Sequence, residues 1–411
     1  MSFIRIARSA APLLAIGFLA DAAFVFVYLV VLQSYLPEAL GASSALGGAC
    51  LAAYGLAKLI AQVAGGMLSD RVGTRRALIF GTAIISVATV AVPPVAHLAP
   101  WGLVGIAAID GIGSSIAWPA LYSAGSARFA TEDRGKFTAT VTLVTVCGLL
   151  VGLGAGALFD GRVTFDRAMI APIGATALAF AIAVTCSGTQ SGARRDRWLS
   201  ARPRRRSTVA HTGMATIGLI ILVEATALGT LAASLRAYGR DTLGVSYAGQ
   251  AALLAPAAIV GVVCILVGGA VSDRLGARRV MMLAFAVAGA AVLTLSRWTD
   301  PEFVIVAACL AGAAFGMGAP AVAATMVQVA SAAGAPGTAI GWSLTADGLG
   351  RTVGPGLASV LIATARVDAA MAAIGLLFIA VAAIAWSSPG LDRPSVSQLS
   401  RAENGSASPS A

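Results

Sequence analysis

The chain has 411 residues, 58% of them apolar and only 11% charged. Soluble globular domains carry roughly 25% charged residues, so an ordinary soluble enzyme is excluded. The net charge of +10 does not imply nucleic acid either, because the basic residues cluster at the ends of apolar runs, as membrane topology requires.

Twelve membrane-spanning helices are predicted, over 11–36, 44–68, 77–97, 101–125, 137–159, 168–187, 211–236, 246–271, 279–297, 302–328, 338–363 and 368–387. Runs of this length cross a hydrocarbon core of about 30 Å with some tilt. Arg5 and Arg8 followed by an apolar stretch imitate a secretion signal. The run continues to Leu36, too long for a signal core, so an uncleaved first helix is expected. Trp101 and Trp298 lie at the ends of spans, where indoles anchor at the interface. Cys50, Cys147, Cys186, Cys264 and Cys309 sit inside apolar stretches without CxxC spacing and read as packing residues.

The connections are short except between the sixth and seventh helices, where seven arginines crowd 194–206. The expected organisation is an N-terminal six-helix bundle (1–190), a basic linker (191–210), a C-terminal six-helix bundle (211–390) and a polar, disordered tail (391–411). With the N-terminus inside, 20 basic residues fall on the cytoplasmic side and six outside. That asymmetry places both termini, the linker and the tail in the cytoplasm.

An internal repeat divides the chain. GGMLSDRVGTRRAL begins at Gly65 and GGAVSDRLGARRVM at Gly268, 203 residues apart, with eight of fourteen positions identical. Gly66, Asp70, Arg71, Gly73 and Arg75 in the first copy match Gly269, Asp273, Arg274, Gly276 and Arg278 in the second. The glycines permit close approach and chain reversal. The aspartates can accept hydrogen bonds from backbone donors or sit at a positive helix N-terminus. The arginines keep the loop out of lipid and are available to the aspartates. The eleventh helix starts on the same side, so its N-terminus is a candidate partner for Asp70, a latch that breaks when the halves separate.

Two six-helix halves, a basic central loop and this doubled motif resemble the major facilitator superfamily. The resemblance implies an all-α membrane protein of two pseudo-symmetric six-helix bundles that rock about a central cavity lined by helices 1, 4, 7 and 10. The expected setting is a bacterial inner membrane. The drug–proton antiporters of that superfamily carry an arginine in helix 4 and a glycine ladder ending in proline in helix 5. Here Asp110 stands near the first position, and Gly148, Gly152 and Gly156 keep the spacing without the proline. Gly350, Gly354 and Pro355 provide such a sequence in helix 11 instead. Glycines four residues apart let helices pack closely in lipid.

Asp21, Lys58, Asp110, Glu224, Asp347 and Arg351 lie deep within predicted spans. Each costs roughly 2.5–3.5 kcal/mol to insert, so a functional reading is the default. Asp347 and Arg351 are four residues apart and can pair along one helix face. Lys58 can neutralise one further acid, Asp110 among the options, which leaves two carboxylates without a cation. A carboxyl in that position in low dielectric holds a proton in preference to a charge. Asp21 and Glu224 are separated by the repeat offset of 203, so the two halves carry carboxylates at equivalent positions, and these are the first candidates for proton coupling or substrate binding. Gln33, Gln62, Trp118 and Trp342 are weaker cavity-lining candidates, as are Gln250 and Gln328. His97 and His211 have no metal-ligand company.

The expected function is proton-coupled efflux, by antiport, of a small organic molecule that is cationic or amphipathic. The alternative is a proton-coupled uptake symporter, with a non-transporting sensor or lipid flippase more remote. The expected partners are substrate, proton and lipid bilayer around a monomer, without nucleic acid, metal or cofactor. No phosphate-binding loop, HExxH or nucleophile–base constellation suggests an enzyme.

Overall fold

The computed structural model describes residues 3–35, 44–129, 134–159, 163–186, 208–245, 247–332, 336–388 and 391. Its twelve long helices are α1 (Phe3–Val25, continued by a π-helical stretch Phe26–Tyr35), α2 (Ser44–Val72), α3 (Thr74–Leu98), α4 (Gly102–Arg128), α5 (Arg134–Phe159) and α6 (Phe165–Cys186), then α7 (Thr208–Ala237, continued as π-helix over Tyr238–Thr242), α8 (Tyr247–Leu275), α9 (Ala277–Leu295), α10 (Pro301–Ala332), α11 (Pro336–Ala365) and α12 (Val367–Trp386). The linker expected over 191–210 lies outside the described residues except 208–210, which open α7. The tail lies outside them beyond Leu391.

Among the described residues, ten helices are long and apolar enough to cross a bilayer. The other two are α5, whose qualifying apolar part is Lys136–Gly152, and α11, which carries Asp347, Arg351 and many small polar residues. Stripes such as Phe80, Val87 and Val90 on α3 stay exposed, the arrangement of a surface solvated by lipid.

Packing repeats between the halves. In the first half α1 lies against α5 and α6, α4 against α2 and α3, and α3 against α6. The second half reproduces each pair six helices later: α7 with α11 and α12, α10 with α8 and α9, and α9 with α12. The halves meet along two equivalent seams, α2 with α11 and α5 with α8. One apolar core fills the second half around Phe285, Phe378 and Ile217. Two fill the first, around Phe137 and Leu121 and around Tyr28 and Met169.

The repeated motif is more helical than a loop between spans. Ser69 to Val72 continue α2, and only Gly73 (φ 89°) breaks the chain before α3. Gly276 (φ 88°) does the same between α8 and α9. Positive φ is open to glycine at little cost, so two-helix corners this tight require it.

Candidate functional site: a charge cluster between the halves

At the basic end the α2–α11 seam is shut by backbone contact. A Cβ added to Gly66 would stand 2.2 Å from the Gly337 carbonyl oxygen, and one on Gly341 would stand 2.7 Å from that of Gln62. Asp70, in the last turn of α2, reaches across to the first turn of α11. Its carboxylate accepts hydrogen bonds from the Gly337 amide (2.9 Å), the Thr338 amide (2.8 Å) and the Thr338 hydroxyl (2.7 Å). It thereby caps, from the other half, a helix N-terminus that opens with Pro336 and has orphan donors to satisfy. The side chain of Asp273, its counterpart, lies outside the described residues.

Among the described residues, no arginine of the motif forms an ion pair with Asp70. Arg75 donates to the Val184 carbonyl at the end of α6, a long contact of 3.5 Å, and Arg278 donates to the carbonyls of Ala385 (2.9 Å) and Trp386 at the end of α12. The same residue of each repeat thus caps the sixth helix of its own half, where terminal carbonyls attract cations. Arg71 and Arg274 are exposed.

Further along the seam, Lys58 of α2 meets α11. Lys58 Nζ lies 3.7 Å from Asp347 Oδ2, and Arg351 Nε donates to both Asp347 oxygens at 2.9 and 3.0 Å. Both intramembrane cations therefore converge on one carboxylate, and Lys58 is not the ion-pair partner of Asp110. Asp21 (α1) lies within electrostatic reach of Lys58, Asp347 and Arg351, and Glu224 (α7) within reach of Asp347 and Arg351. Tyr122 (α4) lies within electrostatic reach of Asp21, Asp347 and Arg351. Among the described residues neither Asp21 nor Glu224 has an ion-pair partner within 4 Å. Five helices from both halves thus present charge or phenol to one central locus.

Glycines bring those helices together. A Cβ on Gly148 of α5 would meet the Phe18 carbonyl at 2.7 Å and Asp21 Cβ at 3.4 Å. One on Gly350 of α11 would meet the Leu222 carbonyl at 2.6 Å and the Thr226 amide at 2.7 Å, on either side of Glu224. Each midplane acid is therefore held where a glycine of the same half lets a neighbouring helix touch its backbone.

Asp110 belongs to a separate arrangement inside the first half. Tyr28 lies beside its carboxylate, and Tyr54 donates to Ser114 Oγ at 2.8 Å. These residues, with Asp21 and Trp118, line a cavity offering about 20 Å³ to water centres, room for about one water molecule. Tyr28, Tyr54 and Tyr122 were not singled out from sequence, although a chain with only six tyrosines places three of them beside its intramembrane acids.

The other sequence candidates scatter. Gln62 is fully buried in the α2–α11 seam, and neither amide atom has a hydrogen-bond partner there. The side chain of Gln33 lies outside the described residues. Trp342 does not line the centre: it is 60% exposed, and nine residues of helix separate it from Arg351, about half a turn of phase.

The family model for the Major Facilitator Superfamily matches residues 14–266 and 215–410. A 95-residue stretch is 34% identical to the sodium-dependent phosphate transport protein 1, chloroplastic, of Arabidopsis thaliana. It spans 23% of this chain and about a fifth (19%) of that relative's length. The human organic anion transporter MFSD10 (TETRAN) superposes with a TM-score of 0.75 at 14% identity, over 92% of this chain and 99% of that one. The proton:xylose symporter XylE superposes with a TM-score of 0.75 at 16% identity, over 95% and 97%. At such identities the likeness is one of fold. The family model nevertheless spans nearly the whole sequence in two overlapping passes, and this chain belongs to the major facilitator superfamily.

Proposed function

We propose that this transporter couples movement of a small organic solute to protons, by alternating access of one central site, with Asp21 and Glu224 as the proton-carrying groups. The chain is a membrane transporter and not an enzyme. The observation that supports proton coupling is the distribution of partners. Lys58 and Arg351 both engage Asp347, leaving the carboxyls of α1 and α7 to be neutralised by something that comes and goes. A proton does so at low cost in a low-dielectric site. XylE, one of the similar structures, is named a proton symporter.

In this reading the halves 1–190 and 211–390 rock as units of a monomer. The basic end and both termini face the cytoplasm of a bacterial inner membrane, and the Asp70 contact closes the cytoplasmic side. The efflux-antiport form expected from sequence requires a cationic solute that competes with protons for Asp21 and Glu224. The symport form requires a solute that binds alongside them. Vesicle flux with an imposed pH gradient separates these: acid outside drives accumulation by a symporter and expulsion by an antiporter. Gradient-insensitive flux, or unaltered coupling in the Asp21→Asn/Glu224→Gln double variant, contradicts the assignment.

A further inference from the structure

Arg351 is unusual among the intramembrane charges. Its Nε is engaged by Asp347, yet its side chain is 56% exposed. Among the described residues no partner is recorded for its two terminal amino groups. The exposure is not toward lipid. The outward face of α11 carries Trp342, Leu349, Val353 and Val360, and Arg351 lies on the opposite side, within electrostatic reach of Asp21, Tyr54, Tyr122 and Glu224. A guanidinium anchored through Nε presents its remaining N–H groups as a planar fork, the geometry that matches a carboxylate or phosphate oxygen pair.

The surrounding charge decides when that fork attracts an anion. The titratable groups facing it are Asp21 from α1, Tyr54 and Lys58 from α2, Tyr122 from α4, Glu224 from α7 and Asp347 on its own helix, with Asp110 one step further, near Lys58. With Asp21, Glu224 and Asp347 all ionised, three carboxylates oppose Lys58 and Arg351, and the five-residue cluster is net negative by one charge. With Asp21 and Glu224 protonated, two cations oppose Asp347 alone and the sign reverses.

We propose that the solute is an organic monoanion, a carboxylate, held by the open face of the Arg351 guanidinium with Lys58 nearby, and that it binds only when protons occupy Asp21 and Glu224. Anion and protons then load together and cross together, which makes the coupling symport. This rests on the proton-coupled reading above and reverses the cationic substrate expected from sequence, because Asp347 engages only one edge of the Arg351 guanidinium.

The test uses the purified full-length chain in lipid nanodiscs and a matched set of probes: acetate, benzoate and indole-3-acetate against ethylamine, benzylamine and tryptamine. Thermal stabilisation is read at acidic and alkaline pH. The expected result is stabilisation by one or more carboxylates at acidic pH, lost at alkaline pH and absent for the amines. Arg351→Gln should abolish it. Should that variant not fold, Arg351→Lys keeps the charge, loses the fork and should weaken carboxylate binding roughly tenfold. Trp342→Ala, on the opposite face, should bind as wild type. Stabilisation by amines alone, by no carboxylate, or equally in wild type and Arg351→Lys overturns the inference. The two proposals fail separately. Arg351-dependent carboxylate binding that ignores pH upholds the anion site and refutes proton coupling, whereas pH-dependent binding of amines refutes the anion site and leaves proton coupling standing.

Discussion

Replacing Asp70 by alanine deletes all three hydrogen bonds that tie the end of α2 to the start of α11. Loss of a helix N-cap costs about 0.5–2 kcal/mol, and a carboxylate at a positive helix end adds about 0.3–1 kcal/mol. Asp70 is exposed, so solvent screens part of the charge effect. A net loss of about 1–2 kcal/mol is the reasonable magnitude, which shifts the balance between closed and open basic ends by roughly 5–30-fold. Asp70→Asn keeps an acceptor without the charge and should shift it by less. Spin labels at Arg76 of the first half and Arg279 of the second, both exposed, placed in a cysteine-free background, report the separation of the basic ends in nanodiscs. The longer-distance population should grow in the order wild type, Asp70→Asn, Asp70→Ala, and turnover should fall more than substrate affinity. An unchanged distance distribution in Asp70→Ala, or an effect confined to affinity, refutes the latch.

Gly350→Ala drives a methyl into the α7 backbone and should lower stability by about 1–3 kcal/mol. Gly356→Ala on the same helix meets nothing within 4 Å and should be neutral or stabilising by up to about 1 kcal/mol. Denaturant unfolding in detergent micelles compares them, and equal effects would mean the α7–α11 contact is looser than described. The Lys58–Asp347 pair bridges the halves with both side chains largely buried. A double-mutant cycle with Lys58→Met and Asp347→Asn should give a coupling of about 1–3 kcal/mol, and additive losses would deny the contact.

Much of this arrangement was legible in the sequence because it depends on local signals. The apolar runs, the doubled motif and the equal offset between Asp21 and Glu224 sufficed for the halves and the two midplane acids. The partner of Asp70 followed from placing the start of α11 on the same side of the membrane. Lys58 was harder, since its partner is set by the register of α2 against α11 across the seam. That register was within reach. Lys58 is twelve residues from Asp70, about 18 Å of helix, and Asp347 is ten from Gly337, about 15 Å, so antiparallel helices joined at Asp70 bring the two together. The phase of α11 was likewise available for Trp342, nine residues from Arg351 and thus on the far face. The arginines of the motif were not legible as caps for α6 and α12, because nothing near them in sequence records which helix ends return to the same corner. Nor was the placing of Tyr28 beside Asp110, which depends on how α1 and α4 are rotated within the first half.

On the proton-coupled reading, Asp21 and Glu224 exchange protons in the resting protein, with or without substrate. Infrared difference spectroscopy of the protein in native-like membranes, recorded across a pH titration in light and heavy water, reads protonated carboxyl groups directly. A deuterium-sensitive carboxylic band should change with pH and be diminished stepwise by Asp21→Asn and by Glu224→Gln. Asp347→Asn frees two cations beside these acids, so it should shift the pH range over which the band changes without removing one of its components. A titrating band of full intensity in the Asp21→Asn/Glu224→Gln double variant would contradict the proton-coupled reading.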